Sequence, residues 1–294
     1  MTFVSIAKGA LFGPRSAPAW VRFTRIFLAA LLIGVGVDQV VSAIREWPLH
    51  DMDTYLAAAS RLRSGAPLYA PDVAFNAYWY SPWFAVAWVP LTYLPREVVA
   101  IAWSAVLLAA SAVISVRVAR MGPSGFLLAL LLGPSLFAVS AGGNVQSLML
   151  LGLIGWPRSR SGPVWVGLAA SLKFTPILLG LVYLRRRQWA RAGVAALIAA
   201  ILILPGIPMG LVQSPSSISW GWGDSILATS WALYAAVVGA SGLAAFVLPS
   251  RFAPLTAATA SVLALPRLFV YDATLLVAGI DGEAKRPGDG PASR

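Results

Sequence analysis

Two aspartates two residues apart are the first candidates for chemistry in this sequence. Asp51 and Asp53 form an Asp-x-Asp pair in a polar stretch that follows the first long apolar run. A carboxylate at a membrane surface can act as a general base, and neighbouring carboxylates can hold a divalent cation. The same residues are favoured at a helix N-terminus, where they accept hydrogen bonds from free amides. The spacing alone leaves base, cation site and cap open.

Two charged residues lie inside runs that are otherwise apolar. Lys173 is about eleven residues short of Arg185, so we expect it well inside a helix and too deep to reach the membrane surface. A buried ammonium needs water, a carboxylate or an anion, and a phosphate is a natural partner. Asp272, close to Arg267 and Tyr271, is the second such charge. Its alternatives are a functional role and a buried ion pair with an arginine.

Polar residues interrupt the apolar pattern at two further places. Two glycines followed by Asn144, and then Gln146, separate two apolar runs. Irregular backbone at membrane depth is tolerated only where protein or a watery cavity surrounds it, although a plain turn is the competing interpretation. Trp222 and Asp224 in a later loop suit the apolar face and hydroxyls of a sugar, while anchoring at the membrane interface explains the tryptophan equally well.

The composition identifies a membrane protein. Of 294 residues, 59% are hydrophobic and 11% are charged, with a mean hydropathy of +0.77; soluble domains are about half apolar and a quarter charged. Cysteine is absent, which excludes disulfides, thiolate metal sites and cysteine nucleophiles. His50 is the only histidine, so a zinc site of several imidazoles is excluded and any metal would need oxygen ligands. We expect no cofactor; the sequence allows a divalent cation without requiring one.

The net charge of +11 reflects topology signals rather than a nucleic-acid surface. Arginines such as Arg158, Arg160 and Arg185 to Arg187 occur in short clusters between apolar runs. We therefore expect membrane lipids and no nucleic acid as partners. If Val164 to Leu184 crosses the membrane as one helix, the first two arginines lie opposite the later cluster, and we place the larger cluster inside.

Three regions follow from the hydropathy pattern. Residues 1–22 predict a basic cytoplasmic tail, residues 23–280 a single transmembrane domain, and residues 281–294 a disordered tail. A span needs about 20 apolar residues, so an all-α fold with about eight to ten membrane helices is expected. The apolar runs are Phe23 to Ile44, Pro82 to Leu94, Val98 to Val116, Phe126 to Ala141, Val145 to Trp156, Val164 to Leu184, Ala192 to Leu204, Ile226 to Leu248 and Pro254 to Ile280.

Residues 45–80 predict an outer loop, the most polar stretch between the termini. Within it, Asp51 to Ser64 has apolar residues at helical spacing, with acids first and Arg61 and Arg63 last. Gly65 follows as a stop signal. The pattern predicts a short amphipathic helix lying on the membrane.

Several short motifs occur in an order typical of one enzyme family. They are Asp51-x-x-x-Tyr55, Ala58, Gly65, Pro67-Leu68-Tyr69, Tyr80-Ser81-Pro82, Pro90-Leu91, Gly143-Asn144-x-Gln146, Leu172-Lys173-x-x-Pro176, Arg185-Arg186-Arg187 and Pro266-x-x-x-x-Tyr271-Asp272. In this order, from about residue 20 to 280, they resemble glycosyltransferase family 87, the polyprenyl-phosphate-mannose-dependent mannosyltransferases. Each motif has low specificity, and their order carries the resemblance.

The resemblance implies a GT-C fold, a polytopic helical enzyme of the cell membrane with short interfacial helices on its first outer loop. It implies inverting transfer of a sugar, with mannose expected, from a polyprenyl-phosphate carrier to a lipid or glycan acceptor at the outer face. Asp51 matches the acid that precedes the tyrosine by four and is the implied general base, with Asp53 as the substitute. Lys173 with Arg61 or Arg63 would stabilise the charge of the leaving phosphate.

The residues expected to contact substrate share polar or aromatic side chains within these motifs and loops. They are Tyr55, Arg61, Arg63, Tyr69, Tyr80, Asn144, Gln146, Lys173, Trp222, Asp224, Arg267, Tyr271 and Asp272.

Departures from the family pattern keep other interpretations open. Gly223-Asp224-Ser225 stands where relatives often show Asn-x-Ser, and no histidine occurs there. The chain is also shorter than is usual for the family, so a catalytically degenerate relative is one alternative. A lipid or solute transporter with Lys173 and Asp272 along its pathway is another, and a membrane scaffold without chemistry is a third.

Overall fold

The structure is a computed structural model that describes residues 18–45, 49–69, 77–119, 123–211, 226–266 and 268–280. The predictions for Trp222, Asp224 and Arg267 lie outside these ranges. So do the predicted C-terminal tail and most of the N-terminal one.

Over the described ranges the chain forms α-helices and 3-10 helices and no strand. The α-helices are α1 (Ala19–Ile44), α2 (His50–Ser64), α3 (Pro82–Trp88), α4 (Arg96–Ala119), α5 (Pro123–Ala141), α6 (Gln146–Leu153), α7 (Gly162–Lys173), α8 (Leu181–Arg185), α9 (Trp189–Ile203), α10 (Ile226–Thr229), α11 (Trp231–Val247) and α12 (Ala253–Leu263). The 3-10 segments are Val89–Tyr93, Thr175–Gly180, Leu204–Gly206, Ser250–Phe252 and Val270–Gly279.

Three of the described helices are long and apolar enough to cross a membrane. They are Ala19–Asp38, Arg96–Ala119 and Trp189–Gly206. The predicted class, an all-helical membrane protein, is therefore confirmed. Shorter apolar helices, among them Trp231–Val247 and Val270–Gly279, lie beside these three.

The antiparallel helices α1 and α4 define two ends of the protein. Trp20 and Arg25 near the start of α1 line a small recess together with Ala119, the last residue of α4. At the other end Arg96, the first residue of α4, forms an ion pair with Asp53 on α2. We call the end with Trp20, Arg25 and Ala119 the arginine end, and the end with Arg96 and Asp53 the α2 end.

The short helix α2 forms where the outer loop predicted an interfacial helix. It buries Met52, Tyr55, Ala58 and Ala59, which recur at helical spacing on one face. The helix ends at Ser64, and the next residue, Gly65, has a φ of 73° that closes the last turn and allows its N–H to bond back to the helix. Aromatic residues of α3 and its flanks pack under this face, so α2 is fixed to the rest of the fold.

Residues 162–185 form a hairpin in place of the single span predicted over Val164 to Leu184. The helix α7 ends at Lys173, and the next residue, Phe174, has a φ of 60°. A 3-10 segment and α8 then return the chain. Pro176 explains the break, because proline has no N–H for the helix ladder and disfavours helical backbone at the residue before it.

The return limb of this first hairpin ends beside the loop from which α7 began. The Tyr183 hydroxyl donates to the Trp156 carbonyl at 3.1 Å, and Arg186 donates to the Pro157 carbonyl at 3.2 Å. The expectation that Lys173 lies well inside a helix is therefore wrong. Lys173 is the last residue of a helix, at the hairpin tip.

A second hairpin replaces the run predicted over Pro254 to Ile280. The helix α12 ends at Leu263, and the 3-10 segment Val270–Gly279 runs back along it. Gly279 packs so closely on α12 that a Cβ atom there would lie 2.9 Å from the Cβ atom of Ala258. Asp272 is in the first turn after the tip of this second hairpin.

Both hairpins open toward the arginine end, because α6 begins beside α2 and runs away from it. Arg191 donates to the Ser159 carbonyl, and Arg185 donates to the Ala245 carbonyl at the end of α11. The loop that carries Arg158 and Arg160 therefore lies beside the Arg185–Arg191 cluster. The two groups were expected on opposite sides only if Val164 to Leu184 crosses the membrane as one helix, and the hairpin shows that this condition is not met.

Candidate functional site

The carboxylate of Asp51 lies at the α2 end, against the turn between α5 and α6. Its backbone N–H donates to the Gly142 carbonyl at 3.1 Å, and its side chain is hydrogen-bonded to Asn144. Asn144 is only 1% exposed, and its Oδ1 accepts from the Gln146 backbone N–H at 2.9 Å. The Asn144 oxygen is thus occupied, and its amide nitrogen is the group left to donate to Asp51.

The environment of Asp51 makes it a stronger base than an exposed aspartate. Burial raises the pKa of the Asp51 carboxyl from its ordinary 3.8. The hydrogen bond from Asn144 and the charges of Lys173 and His50 oppose this rise, while the charge of Asp272 adds to it. A carboxylate with a raised pKa accepts a proton more readily than an exposed one, which suits a general base.

Asp53 has different partners and caps the helix. Its Oδ2 accepts the Leu49 backbone N–H at 2.9 Å, and its two oxygens bind Nε and Nη2 of Arg96 at 2.8 and 2.9 Å. An acid that satisfies a free amide at a helix N-terminus and pairs with an arginine is a structural group. The Asp-x-Asp motif therefore divides into one capping residue and one carboxylate that faces the α5–α6 turn.

The tips of the two hairpins meet beside Asp51 through Lys173 and Asp272. The Lys173 ammonium lies 2.8 Å from Asp272 Oδ1, with side-chain exposures of 13% and 3%. The other oxygen of Asp272 accepts the Phe269 backbone N–H at 2.9 Å, and the Tyr271 ring lies 5.0 Å from the ammonium. Each charge thus has a partner in a poorly hydrated place, as burial demands.

The glycine-containing turn before Asn144 joins three parts of the site. Gly143 has a φ of 79°, and a Cβ atom there would lie 2.8 Å from the Cβ atom of Met52 on α2. Its carbonyl accepts from the indole N–H of Trp103 at 2.7 Å. The Gln146 amide donates to Thr274 of the second hairpin at 3.1 Å. The turn therefore fixes the positions of α2, α4 and the second hairpin relative to one another.

Three tyrosines that were predicted to contact substrate are instead linked to one another by buried hydrogen bonds behind Asp51. Tyr55, one helical turn after Asp51, donates to Tyr80 at 3.0 Å and accepts the Val145 backbone N–H at 3.3 Å. Tyr69 donates to the Tyr80 carbonyl at 2.9 Å. Burial raises the pKa of the Tyr55 and Tyr80 hydroxyls well above 10.0, so both remain protonated. These hydrogen bonds fix the position of α2.

Arg61 and Arg63 lie at the opposite end of α2 from Asp51. Arg61 lies ten positions after Asp51, about 15 Å along a helix. Arg61 donates to the Leu68 carbonyl at 3.1 Å, and Arg63 binds the Thr92 hydroxyl at 2.9 Å and lies over the Tyr93 ring. The structure therefore brings together Asp51, Asn144, Gln146, Lys173, Tyr271 and Asp272, and keeps these two arginines apart from them.

An apolar cavity of about 320 Å³ lies next to this cluster. Four tryptophans contribute to its wall: Trp83, Trp88, Trp103 and Trp165. Of the other wall residues, Val145 directly follows Asn144 in the chain, and Leu172 directly precedes Lys173. We call it the tryptophan cavity. Its apolar wall suits an apolar group.

Within the described part of the chain, no group of three or more His, Cys, Asp or Glu side chains converges to hold a metal ion. The oxygens of Asp53 are already bonded to Arg96 and Leu49. Asp51 and Asp272 are the remaining carboxylates of the cluster, and Lys173 lies on one of them.

Two residues that position the site were not among the predicted ones. Arg96 is at the N-terminus of α4, where a positive charge opposes the helix dipole, so its place in the sequence already indicated an acidic partner. Trp103 is one of many tryptophans that interfacial anchoring would explain, and nothing in its local sequence distinguishes it.

Comparison with known proteins finds one family. A sequence model of glycosyltransferase family 87 matches residues 78–278. No curated protein and no solved structure matches the chain.

Proposed function

Because the chain belongs to glycosyltransferase family 87 and is therefore a glycosyltransferase, we propose that it moves mannose from a polyprenyl-phosphate carrier to a lipid or glycan acceptor. The observation that supports this most is the cluster in which a carboxylate, Asp51, and a cation, Lys173, lie beside an apolar cavity. A lipid-linked sugar has three matching parts: a hydroxyl-bearing ring, a phosphate and an apolar chain.

In the proposed reaction Asp51 is the general base. It takes the proton of an acceptor hydroxyl while that oxygen attacks the anomeric carbon of the sugar. The bond from this carbon to the phosphate oxygen breaks, and its electron pair leaves with the phosphate. One displacement inverts the anomeric centre. The raised pKa of Asp51 supports this role, because a carboxylate with a higher pKa is the stronger base.

Lys173 is proposed to stabilise the leaving phosphate. Negative charge grows on the phosphate oxygens as the bond breaks, and a cation already in place lowers the barrier without reorganisation. An ammonium has three donors, of which Asp272 takes one. Asn144 is proposed to hold Asp51 in position, and Gln146, Tyr271 and Asp272 lie within the same cluster.

The tryptophan cavity is proposed to receive the first units of the prenyl chain. Its walls are almost wholly apolar, and burying each CH₂ group contributes about 0.8 kcal/mol. Leu172 in its wall directly precedes Lys173 in the chain, and the proposal places the phosphate of an occupant at the ammonium of Lys173. This arrangement supports a donor that is anionic at one end and apolar at the other.

We propose that the arginine end faces the cytoplasm of a multi-pass plasma-membrane protein. The arginines near residues 158–160 and 185–191 lie together at that end, and an excess of basic residues marks cytoplasmic loops. The Asp51 cluster, at the other end, then opens to the outer face.

The experiment that tests this function is a transfer assay with purified protein in lipid bilayers. Radiolabelled polyprenyl-phosphate mannose, glucose and arabinose are each supplied with membrane lipid extract, with and without a chelator. We expect a new labelled glycolipid with mannose, its loss in Asp51→Asn, and its retention in the matched variant Asp53→Asn. Transfer at the wild-type rate by Asp51→Asn would remove Asp51 from its role, and no product from any donor would overturn the proposed donor class.

A further inference from the structure

The counter-ion of Lys173 works against the binding of an anion. Asp272 lies 2.8 Å from the ammonium and is almost fully buried, and Asp51 adds a second negative charge nearby. A site that only had to hold a phosphate tightly would leave the lysine unopposed, since a carboxylate beside the cation competes for it. The position of Asp272 therefore has two explanations: a structural ion pair in a poorly hydrated place, or control of how tightly Lys173 binds a phosphate.

The proposed reaction changes the charge of the phosphate group. The donor is a phosphodiester with one negative charge, whereas the released lipid phosphate is a monoester that carries about −1.5 to −2 near pH 7. An unopposed ammonium would therefore bind the product more strongly than the donor. Tight product binding slows turnover whenever release limits the rate.

On this basis we propose that Asp272 is a positioning residue. It limits how tightly Lys173 binds a phosphate, so that the lipid monophosphate product dissociates. The inference rests on the proposed function and adds product release to it. Asp272 is suited to this role because its second oxygen is fixed by the Phe269 backbone N–H. The carboxylate therefore stays in place when an anion approaches, and Lys173 is shared between the two.

A purely structural ion pair predicts the opposite sign. Removing one member of a structural pair would loosen the hairpin tips and weaken the binding of every ligand. If Asp272 limits product binding, its neutralisation makes the product bind more tightly. The direction of the change thus separates the two roles.

The test measures binding of a polyprenyl monophosphate and steady-state transfer in Asp272→Asn. We expect the inhibition constant for the monophosphate to fall at least tenfold, because removing one charge about 5 Å from a near-dianion predicts a change of about that size even at the dielectric of bulk water. We expect the donor KM to fall less than this, and kcat to fall as release becomes slower. A monophosphate that binds Asp272→Asn more weakly than the wild type would overturn the inference.

Two further variants separate charge from packing. Asp272→Glu keeps the charge and should keep the inhibition constant near the wild-type value. Ser261→Ala removes an uncharged contact between the hairpins, the bond from the Ser261 hydroxyl to the Thr175 carbonyl at 3.0 Å, and should leave product inhibition unchanged. Tightening in Ser261→Ala equal to that in Asp272→Asn would assign the effect to packing.

If Asp272→Asn does not fold, the comparison is made in the Lys173→Gln background. Adding Asp272→Asn there creates a neutral pair and should again tighten the monophosphate relative to Lys173→Gln alone, because the repelling carboxylate is gone. Equal or weaker binding would overturn the inference. Absence of transfer by the wild type would instead contradict the proposed function.

Discussion

Asp53 and Arg96 form a two-point ion pair, with Nε to Oδ1 at 2.8 Å and Nη2 to Oδ2 at 2.9 Å. An asparagine at position 53 can still accept the Leu49 N–H but loses the ion pair with Arg96, so we expect Asp53→Asn to lower the free energy of unfolding by about 1 kcal/mol. Transfer by the folded variant should stay within about threefold of the wild type, less than 1 kcal/mol of barrier. Thermal unfolding and the transfer assay measure the two effects. Lost transfer with unchanged stability would exchange the roles of the two aspartates.

Asp51→Asn should strongly lower the rate of transfer and raise the stability, the reverse of what is expected for Asp53→Asn. Loss of a general base lowers the rate by about 10²- to 10⁴-fold. Burial raises the pKa of Asp51 in the folded protein above 3.8, so the ionised carboxylate destabilises the native state above that pH. The variant should therefore unfold at a higher temperature than the wild type at pH 7.

The stability gain of Asp51→Asn should narrow as pH falls. Below the unfolded pKa, both the wild type and the variant carry a neutral group at this position, and the penalty disappears. Thermal unfolding of both proteins between pH 7 and pH 4 measures the difference. A gain that stays constant with pH would show that the penalty is not one of charge.

Asn144→Leu should move the pH dependence of transfer. The hydrogen bond from Asn144 lowers the pKa of Asp51 against the effect of burial, so its loss leaves burial less opposed. The acid limb of kcat/KM, which reports a base that must be deprotonated, should move to higher pH. Ser140→Ala is the control, because Ser140 is buried nearby and bonds to Ser111 and Ser147 rather than to Asp51. An unmoved acid limb in Asn144→Leu would remove that hydrogen bond from the mechanism.

A tryptophan at Ala87 should reveal what occupies the tryptophan cavity. Ala87 is exposed and lines the cavity, whereas its neighbour Val86 is 59% exposed and does not line it. Ala87→Trp should raise the KM of long-chain donors about tenfold, the loss of roughly two buried CH₂ groups. Val86→Trp should change nothing. KM values measured with donors of several chain lengths test this, and an equal increase for the shortest donor would assign the cavity to another ligand.

The hairpins show how far the apolar runs alone could predict the fold. Hydropathy located the runs and the short helix α2, but it treated residues 164–184 and 254–280 as unbroken runs. Pro176 and Pro266 each lie where the chain turns back, and proline inside an apolar run indicates a broken helix. This signal was present in the sequence, and the apolar content of both runs concealed it.

The partnership of Lys173 with Asp272 had no such local signal. The two residues are 99 positions apart, and the sequence offered a phosphate for one and an arginine for the other. Only the packing of two hairpin tips brings them together. Asp51 and Asp53 were likewise indistinguishable by spacing, because Arg96 and Asn144, which separate their roles, come from other helices.

Gly143→Ala should damage both folding and catalysis. The residue has a φ of 79°, which strains any side chain, and a Cβ atom would meet the Cβ atom of Met52 at 2.8 Å. We expect a loss of about 1–3 kcal/mol in stability. Gly142 and Asn144, its neighbours, both bind Asp51, so the base shifts with the turn. A displacement of about 1 Å can cost about 100-fold in rate.

The control for Gly143→Ala is Gly239→Ala in α11. No atom lies within 4 Å of the Cβ position of Gly239, and alanine is favoured over glycine in a helix by about 0.5–1 kcal/mol. This variant should be at least as stable as the wild type and equally active. Thermal unfolding with the transfer assay separates the two glycines. Wild-type stability and transfer in Gly143→Ala would mean that the turn does not position Asp51, because a strained turn pressed against α2 cannot accept a methyl group without moving the carboxylate it holds.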